Sequence, residues 1–323
     1  MALSHTDMPL ELLREYRPTL DVPGDLDEFW QRTLREARSP EGAVEVHPLD
    51  SPFTELIVED LTFPGFAGEP IRGWITRPRA DSPLPAVVEY VGYNGGRGVP
   101  GEKLAWAAAG FVHVLMDTRG QGSGWGNGGA TADPHGSGPA TAGFMTRGIE
   151  DAETYYYRRV YTDAVRLLDH VAALAFVDAS RIAVSGASQG GGIALAAAAL
   201  SNIPFALLPD VPFLCDFPRA ITRTPEPPFT EITRYLSIHR DRVDDVFRTL
   251  SYFDGAVLAA KITQPALFSV ALMDEIVLPS TVFAAYNAAT STDKRIEVYA
   301  FNGHEGGSMR HWHDQVAWLR DRL

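Results

Sequence analysis

Between Val184 and Leu200 the chain reads "VSGASQGGGIALAAAAL", with Ser188 and Gln189 set among glycines ahead of an alanine-rich run. Glycine at a helix start lowers helix propensity, so Gly190, Gly191 and Gly192 in succession need another reason. A nucleophile on a sharp strand-to-helix turn supplies one. The strand pattern "SRIAVSG" precedes Ser188 and the helix pattern "QGGGIALAAAAL" follows, which is the setting of a nucleophile elbow. Gly186 and Gly190 would let backbone pass close to the turn, and the next two glycines would let the helix pack tightly on a sheet. The spacing G-x-S-x-G alone is common, and a serine capping a helix is the alternative.

A neutral hydroxyl is a poor nucleophile and needs a base beside it. Nine histidines are available. His113 lies in a buried strand pattern and is expected in the core. His170 and His239 fall in helical patterns with polar neighbours and are expected in solvent. His311 and His313 are two positions apart, so they point to different helix faces and make a poor metal pair. His304 differs, because "FNGHEGG" is a loop after the last strand pattern, from which a side chain can reach over a sheet edge. A solvated turn residue is the alternative. The base in turn needs an acid to hold its tautomer and stabilise the imidazolium. Asp274 closes "ALFSVALMD" at the C-terminal edge of the next-to-last strand, the side on which open α/β sheets bind ligands. A helix N-cap is its alternative role, and Glu275 and Asp254 are rival acids.

The chain order Ser188, Asp274, His304 is the α/β-hydrolase order. Attack on an ester carbonyl creates an oxyanion that needs N–H donors. One is expected from the backbone of Gln189, directly after the serine and at a helix N-terminus. The other is expected from Tyr93, in the loop "YVGYNGGRG" after an earlier strand, although an ordinary tight turn also accounts for Asn94 to Gly98. This chemistry calls for no metal and no organic cofactor.

The elements that must hold these residues are legible from their periods. "LPAVVEYVGY" and "FVHVLMDTRGQGSG" are nearly unbroken apolar strands separated by a short helix, "EKLAWAAAG". Buried strands alternating with helices predict a mostly parallel sheet flanked by helices. Ahead of it stand an amphipathic helix at Asp25 to Arg38, with Leu26, Phe29, Trp30 and Leu34 on one face, and two alternating segments that predict antiparallel strands. Residues 122–148 read as a long Gly- and Pro-rich loop. Residues 217–255 break the rhythm and read as an inserted helical cap in a single domain spanning 1–323. The chain has 323 residues, 45% of them hydrophobic, and a net charge of −13, so it should repel nucleic acid and anionic membranes. Its single cysteine, Cys215, excludes an intrachain disulfide and reads as a small buried hydrophobe. No apolar run reaches the roughly 18 residues of a membrane span, no signal peptide is evident, and a cytoplasmic location is expected.

With these residues assembled, the sequence resembles carbohydrate esterase family 7, the acetyl xylan esterases and cephalosporin C deacetylases. "RGQG" at Arg119 to Gly122, "GASQG" at Gly186 to Gly190 and "HE" at His304–Glu305 carry the likeness, and "VGYNGGRG", "GFMTRGI", "YYYRR", "DVPFLC" and "FRTLSYFDG" extend it over most of the chain. The resemblance implies an α/β-hydrolase fold, with an N-terminal extension and a small helical insertion. It implies a triad of Ser188, Asp274 and His304 and oxyanion donors at Tyr93 and Gln189. It further implies deacetylation of small acetylated sugars and cephalosporin-type substrates by a cytoplasmic homohexamer whose active sites face an internal cavity. The family's "MDxxCPPS" stands here as "MDEIVLPS", which keeps the acid and alters the pocket wall. Arg119 is expected to be buried and held by a carboxylate, and Glu305 to support its loop. Trp125 and Phe213 are candidates either for an acyl pocket or for core packing. A lactonase, thioesterase or peptidase on the same scaffold, or a non-catalytic binding protein of that fold, are the alternatives.

Overall fold

Strands buried on both faces need helices above and below them, and this requirement shapes the computed structural model, which describes residues 7–40, 42–135, 138 and 143–323. The strands are β1 (Glu45–Pro48), β2 (Leu56–Pro64), β3 (Pro70–Pro78), β4 (Leu84–Tyr90), β5 (Val112–Met116), β6 (Val177–Ala187), β7 (Ala206–Asp210), β8 (Ala266–Ala271) and β9 (Lys294–Tyr299). Among the described residues they form one sheet in the order β1-β2-β3-β5-β4-β6-β7-β8-β9. β1, β2 and β3 pair antiparallel with one another and onto β5, and every pairing from β5 to β9 is parallel. The parallel half is the apolar one: Val87, Val88, Val112, Val114, Ala183, Val184, Leu207 and Phe268 are all wholly buried.

Helix Tyr156–Val171 leads into β6, and helix Gln189–Leu200 links β6 to β7. The second packs against β4, β6, β7 and the first, so its side chains from Gln189 to Ala198 are all buried. That is why it shows no polar stripe and why its sequence is alanine and glycine: it lies close to neighbours all round. The amphipathic helix falls at Leu26–Arg38 and buries the four predicted residues together with Thr33 and Ala37. Trp30 donates its indole N–H to the Tyr252 carbonyl at 3.0 Å and packs on Tyr161 and Phe253. Burial of each such aromatic contributes about 1.5–3 kcal/mol. Between β7 and β8 lie helices Phe217–Arg223, Phe229–Ile238, Val243–Ser251 and Gly255–Leu258.

Several elements differ from expectation. The helix read in "EKLAWAAAG" contracts to Ala105–Ala108, since only Trp106 and Ala107 of it are buried. β1 carries no alternating pattern because it is a largely exposed edge strand held by its ladder to β2. Residues 122–135 and 143–148 contain neither helix nor strand, and 136–137 and 139–142 of that predicted loop lie outside the described residues. Cys215 is fully buried, and burial pushes its thiol well above the usual range. No helix among the described residues is long and apolar enough to cross a membrane.

Candidate active site

Ser188 follows directly on β6 and opens helix Gln189–Leu200 with φ +57° and ψ −121°. A positive φ is costly for a residue with a Cβ and persists only where surrounding contacts impose it. Here the Ser188 N–H donates to the Asp210 carbonyl at 3.0 Å, and the Ser188 carbonyl accepts from Gly192 and Phe213 at 3.1 and 2.9 Å. A Cβ at Gly186 would strike the Gly190 backbone, and one at Gly190 would strike the Tyr90 carbonyl. The turn is therefore possible only with glycine at both places.

The loops after β8 and β9 meet over this turn. Leu272 donates to the Tyr299 carbonyl at 2.9 Å and Met273 to the Asn302 carbonyl at 3.1 Å, which ties the loop holding Asp274 to the loop holding His304. His304 Nε2 lies 3.0 Å from Ser188 Oγ, and His304 Nδ1 lies 2.8 Å from Asp274 Oδ2. Asp274 is wholly buried, and its other oxygen accepts the N–H groups of Ile276 and Val277 at 2.9 and 2.8 Å. Its helix-capping alternative is not realised: these donors lie in the loop, and the next helix, Pro279–Ala288, has Leu278 at its N-cap. With Nδ1 donating to the carboxylate, Nε2 is left to accept the serine proton. The Glu305 carboxylate accepts from the Asn302 amide at 2.9 Å, which helps hold its pKa below the usual range and braces the loop.

Ser188 and His304 open on a cavity of about 490 Å³, walled in part by Tyr93, Trp125, Pro228, Glu231 and Ile276, while Asp274 lies buried behind His304. Tyr93 comes from the loop after β4, and Gln189 follows the serine at the first turn of the helix. The arrangement can activate a hydroxyl beside a pocket of small-molecule size.

The family model described as acetyl xylan esterase (AXE1) matches residues 1–322. The chain belongs to the acetyl xylan esterase family. It is a carboxylic ester hydrolase of α/β-hydrolase fold. It is 25% identical to acetyl esterase Axe7A of Xylanibacter ruminicola over 330 residues, 97% of this chain and 70% of that protein. Among solved structures, an acetyl xylan esterase from a Paenibacillus species is 38% identical with a TM-score of 0.92, covering 97% of this chain and 99% of that one. Acetyl xylan esterase 1 from a Thermoanaerobacterium species is 36% identical with a TM-score of 0.88, covering 97% and 98%.

The motifs that carry the resemblance are joined side chain to side chain. The Gln189 amide oxygen accepts from Gln121 and from the Tyr157 hydroxyl, both at 2.9 Å. Its amide N–H donates to the Val91 carbonyl at 3.1 Å, while Gln121 Oε1 accepts the Asn94 N–H at 2.6 Å. A pair of amides therefore fastens the loop after β4 to the helix behind the serine. Arg119 is wholly buried and grips Asp163 with two N–H groups at 2.6 and 2.8 Å, with Glu69 at 2.5 Å.

For other residues the structure decides between sequence alternatives or departs from the reading. Phe213 is buried against Phe229 rather than in the cavity wall, whereas Trp125 stands in that wall and is half exposed. His170 is half-buried rather than freely solvated: it packs on Phe63, its Nε2 lies 3.3 Å from the Pro64 carbonyl, and burial lowers its pKa. His239 is half-buried and stacked on Tyr235. His113 is buried as expected, but beside Glu89 at 2.9 Å. His311 is buried against Asp210 and Tyr299, while His313 is exposed. Sequence reading passed over Gln121, Glu231 and the Tyr93 phenol. Gln121 had a signal in its motif; Glu231 had none, because its partner lies 138 positions away.

Proposed function

We propose that this protein is a serine esterase that removes acetyl groups from small acetylated sugars, acetylated xylo-oligosaccharides foremost, and from cephalosporin C. Ser188 Oγ attacks the acetyl carbonyl as His304 Nε2 takes its proton, and Asp274 stabilises the imidazolium. The backbone N–H groups of Tyr93 and Gln189 hold the oxyanion, the latter aided by the helix N-terminus. His304 then protonates the departing sugar alkoxide, leaving acetyl-Ser188. Water attacks this ester with His304 as base, and acetate leaves as the proton returns to Ser188. The observation that carries this reading is the continuous contact from Asp274 through His304 to Ser188 at 2.8 and 3.0 Å beside the cavity.

From its sequence pattern, charge and triad chemistry we read the chain as one domain with residues 217–255 as its helical cap, needing no cofactor, nucleic acid or membrane, and by family resemblance as a cytoplasmic homohexamer. The deciding experiment measures Ser188→Ala against the wild type on p-nitrophenyl acetate, then the wild type on acetylated xylo-oligosaccharides, cephalosporin C and esters of increasing acyl length. Loss of turnover in a folded variant and preference for acetyl are the expected results. Retained activity in the variant rejects the serine mechanism, and preference for chains beyond about four carbons rejects the small-acyl assignment.

A further inference from the structure

We propose that Glu231 is a positioning residue for the oxyanion site, acting on Tyr93 from the helical segment between β7 and β8. The inference rests on the esterase reading above. Tyr93 offers its backbone N–H to the oxyanion, so the direction of that N–H depends on what holds the residue. Its carbonyl accepts the Trp125 indole N–H at 2.8 Å, and the next N–H, of Asn94, is held by Gln121 at 2.6 Å. Its side chain is held separately. The phenol donates to Glu231 Oε1 at 2.6 Å and accepts the Phe144 N–H at 2.7 Å, while Glu231 Oε2 accepts the Met145 N–H at 3.0 Å. A carboxylate and a phenol thus share two successive backbone donors, and helix Phe229–Ile238 is joined to the loop after β4 across the cavity wall.

The clamp has the properties of a fixed support. The Tyr93 ring packs edge-on against Phe144 at 5.7 Å and Phe213 at 6.3 Å, which limits its rotation. Burial raises the phenol pKa, so the hydroxyl stays a donor, and burial also raises that of Glu231 while its hydrogen bonds favour the charged form. Helix Phe229–Ile238 is anchored a second time, by the Tyr235 hydroxyl on Glu150. An oxyanion donor acts in the transition state more than in the bound substrate, and deleting one costs about 10²–10³ in rate. Loosening a donor without deleting it should cost less and should fall on kcat.

The test compares the wild type, Ser188→Ala, Glu231→Ala, Glu231→Gln, Tyr93→Phe and the Glu231→Ala/Tyr93→Phe pair on p-nitrophenyl acetate, with circular dichroism as the folding check and an alkylboronic acid as tetrahedral probe. Glu231→Ala and Tyr93→Phe should each lower kcat about tenfold with KM within about twofold, and weaken the boronic acid in proportion. The pair should lose clearly less than the two single losses combined, because the Tyr93–Glu231 bond is broken by either substitution, while each also gives up one backbone donor of its own. Glu231→Gln, which keeps one acceptor oxygen, should fall between. An unchanged kcat, a loss carried by KM alone, or independent additive losses would overturn the inference. Should Glu231→Ala not fold, Glu231→Gln and Tyr93→Phe decide it by the same kcat and boronic acid readings. A wild type without turnover, or an undiminished Ser188→Ala, would overturn the esterase reading and this inference with it; serine-dependent turnover insensitive to the clamp overturns the clamp alone.

Discussion

His304–Asp274 and Arg119–Asp163 are both contacts of a basic side chain from the motifs with a buried carboxylate, and they are placed for opposite tasks. The contacts are alike in length, 2.8 Å in one and 2.6 and 2.8 Å in the other. Both carboxylates are buried to within one percent of completely. What differs is the nitrogen-bearing partner. His304 keeps 29% of its side chain exposed, Arg119 none. An imidazole at a cavity can release and recover a proton; a guanidinium sealed among carboxylates cannot. Arg119 and Arg159 answer Glu69, Asp133 and Asp163 in one closed network, which holds residues 119, 133 and 159–163 to the segment after β2. A buried carboxylate met by a sealed guanidinium can only brace the fold, whereas one met by an imidazole that reaches the cavity is placed for the proton transfer proposed at Ser188.

Exchanging the two outcomes would break this comparison. Asp274→Asn should lower kcat by about 10⁴-fold, since Nδ1 loses the acceptor that fixes its tautomer, with the folded state retained on thermal melting. Arg119→Met should destabilise by about 3–5 kcal/mol, because the buried Asp163 carboxylate loses its cation, while the fraction still folded at low temperature keeps kcat within a few-fold. If the first variant unfolds and the second loses turnover at unchanged Tm, the assignment is reversed. Gly190→Ala tests the turn itself: its Cβ meets the Tyr90 carbonyl, so a rate loss of about 100-fold is expected, together with a destabilisation of about 1–3 kcal/mol measured by urea titration.

A third buried aspartate shows what a carboxylate does with no basic side chain against it among the described residues. Asp254 accepts the backbone N–H groups of Asp216, Phe217 and Ala256, each at 2.8 Å. Burial foremost, with the Asp216 carboxylate adding to it, pushes its pKa up to about 7. The folded state therefore binds this proton more tightly than the unfolded chain does. The resulting stabilisation is complete below about pH 4 and is lost as pH rises to about 7, at a rate approaching ~1.4 kcal/mol per pH unit. Asp254→Asn removes the titration, so its deficit against the wild type should be largest in acid and smaller at pH values above about 7, as read by denaturant midpoints. A deficit independent of pH would mean that three N–H donors keep the carboxylate ionised throughout.

The parallel half of the sheet and its helices were legible because strands such as β4 carry unbroken apolar runs. The glycine pair around Ser188 and the loops ending β8 and β9 were legible because local punctuation marks such places. β1 was not, since an exposed edge strand needs no pattern beyond its partner's ladder. Nor were the partial burial of His170 and the burial of His311, because polar neighbours in sequence do not reveal the carbonyl or carboxylate that meets each ring in space.

By itself the sequence determined where the chain turns, which runs are buried and which residue types stand at the strand ends, because backbone preference and hydrophobic period act over a few residues. Tertiary structure alone decided that β5 inserts between β3 and β4, that Gln121 meets Gln189 and that Glu231 meets Tyr93. Those partners are 68 and 138 positions apart, and a hydrogen bond of about 3 Å is specified only once packing has brought two elements to a shared surface.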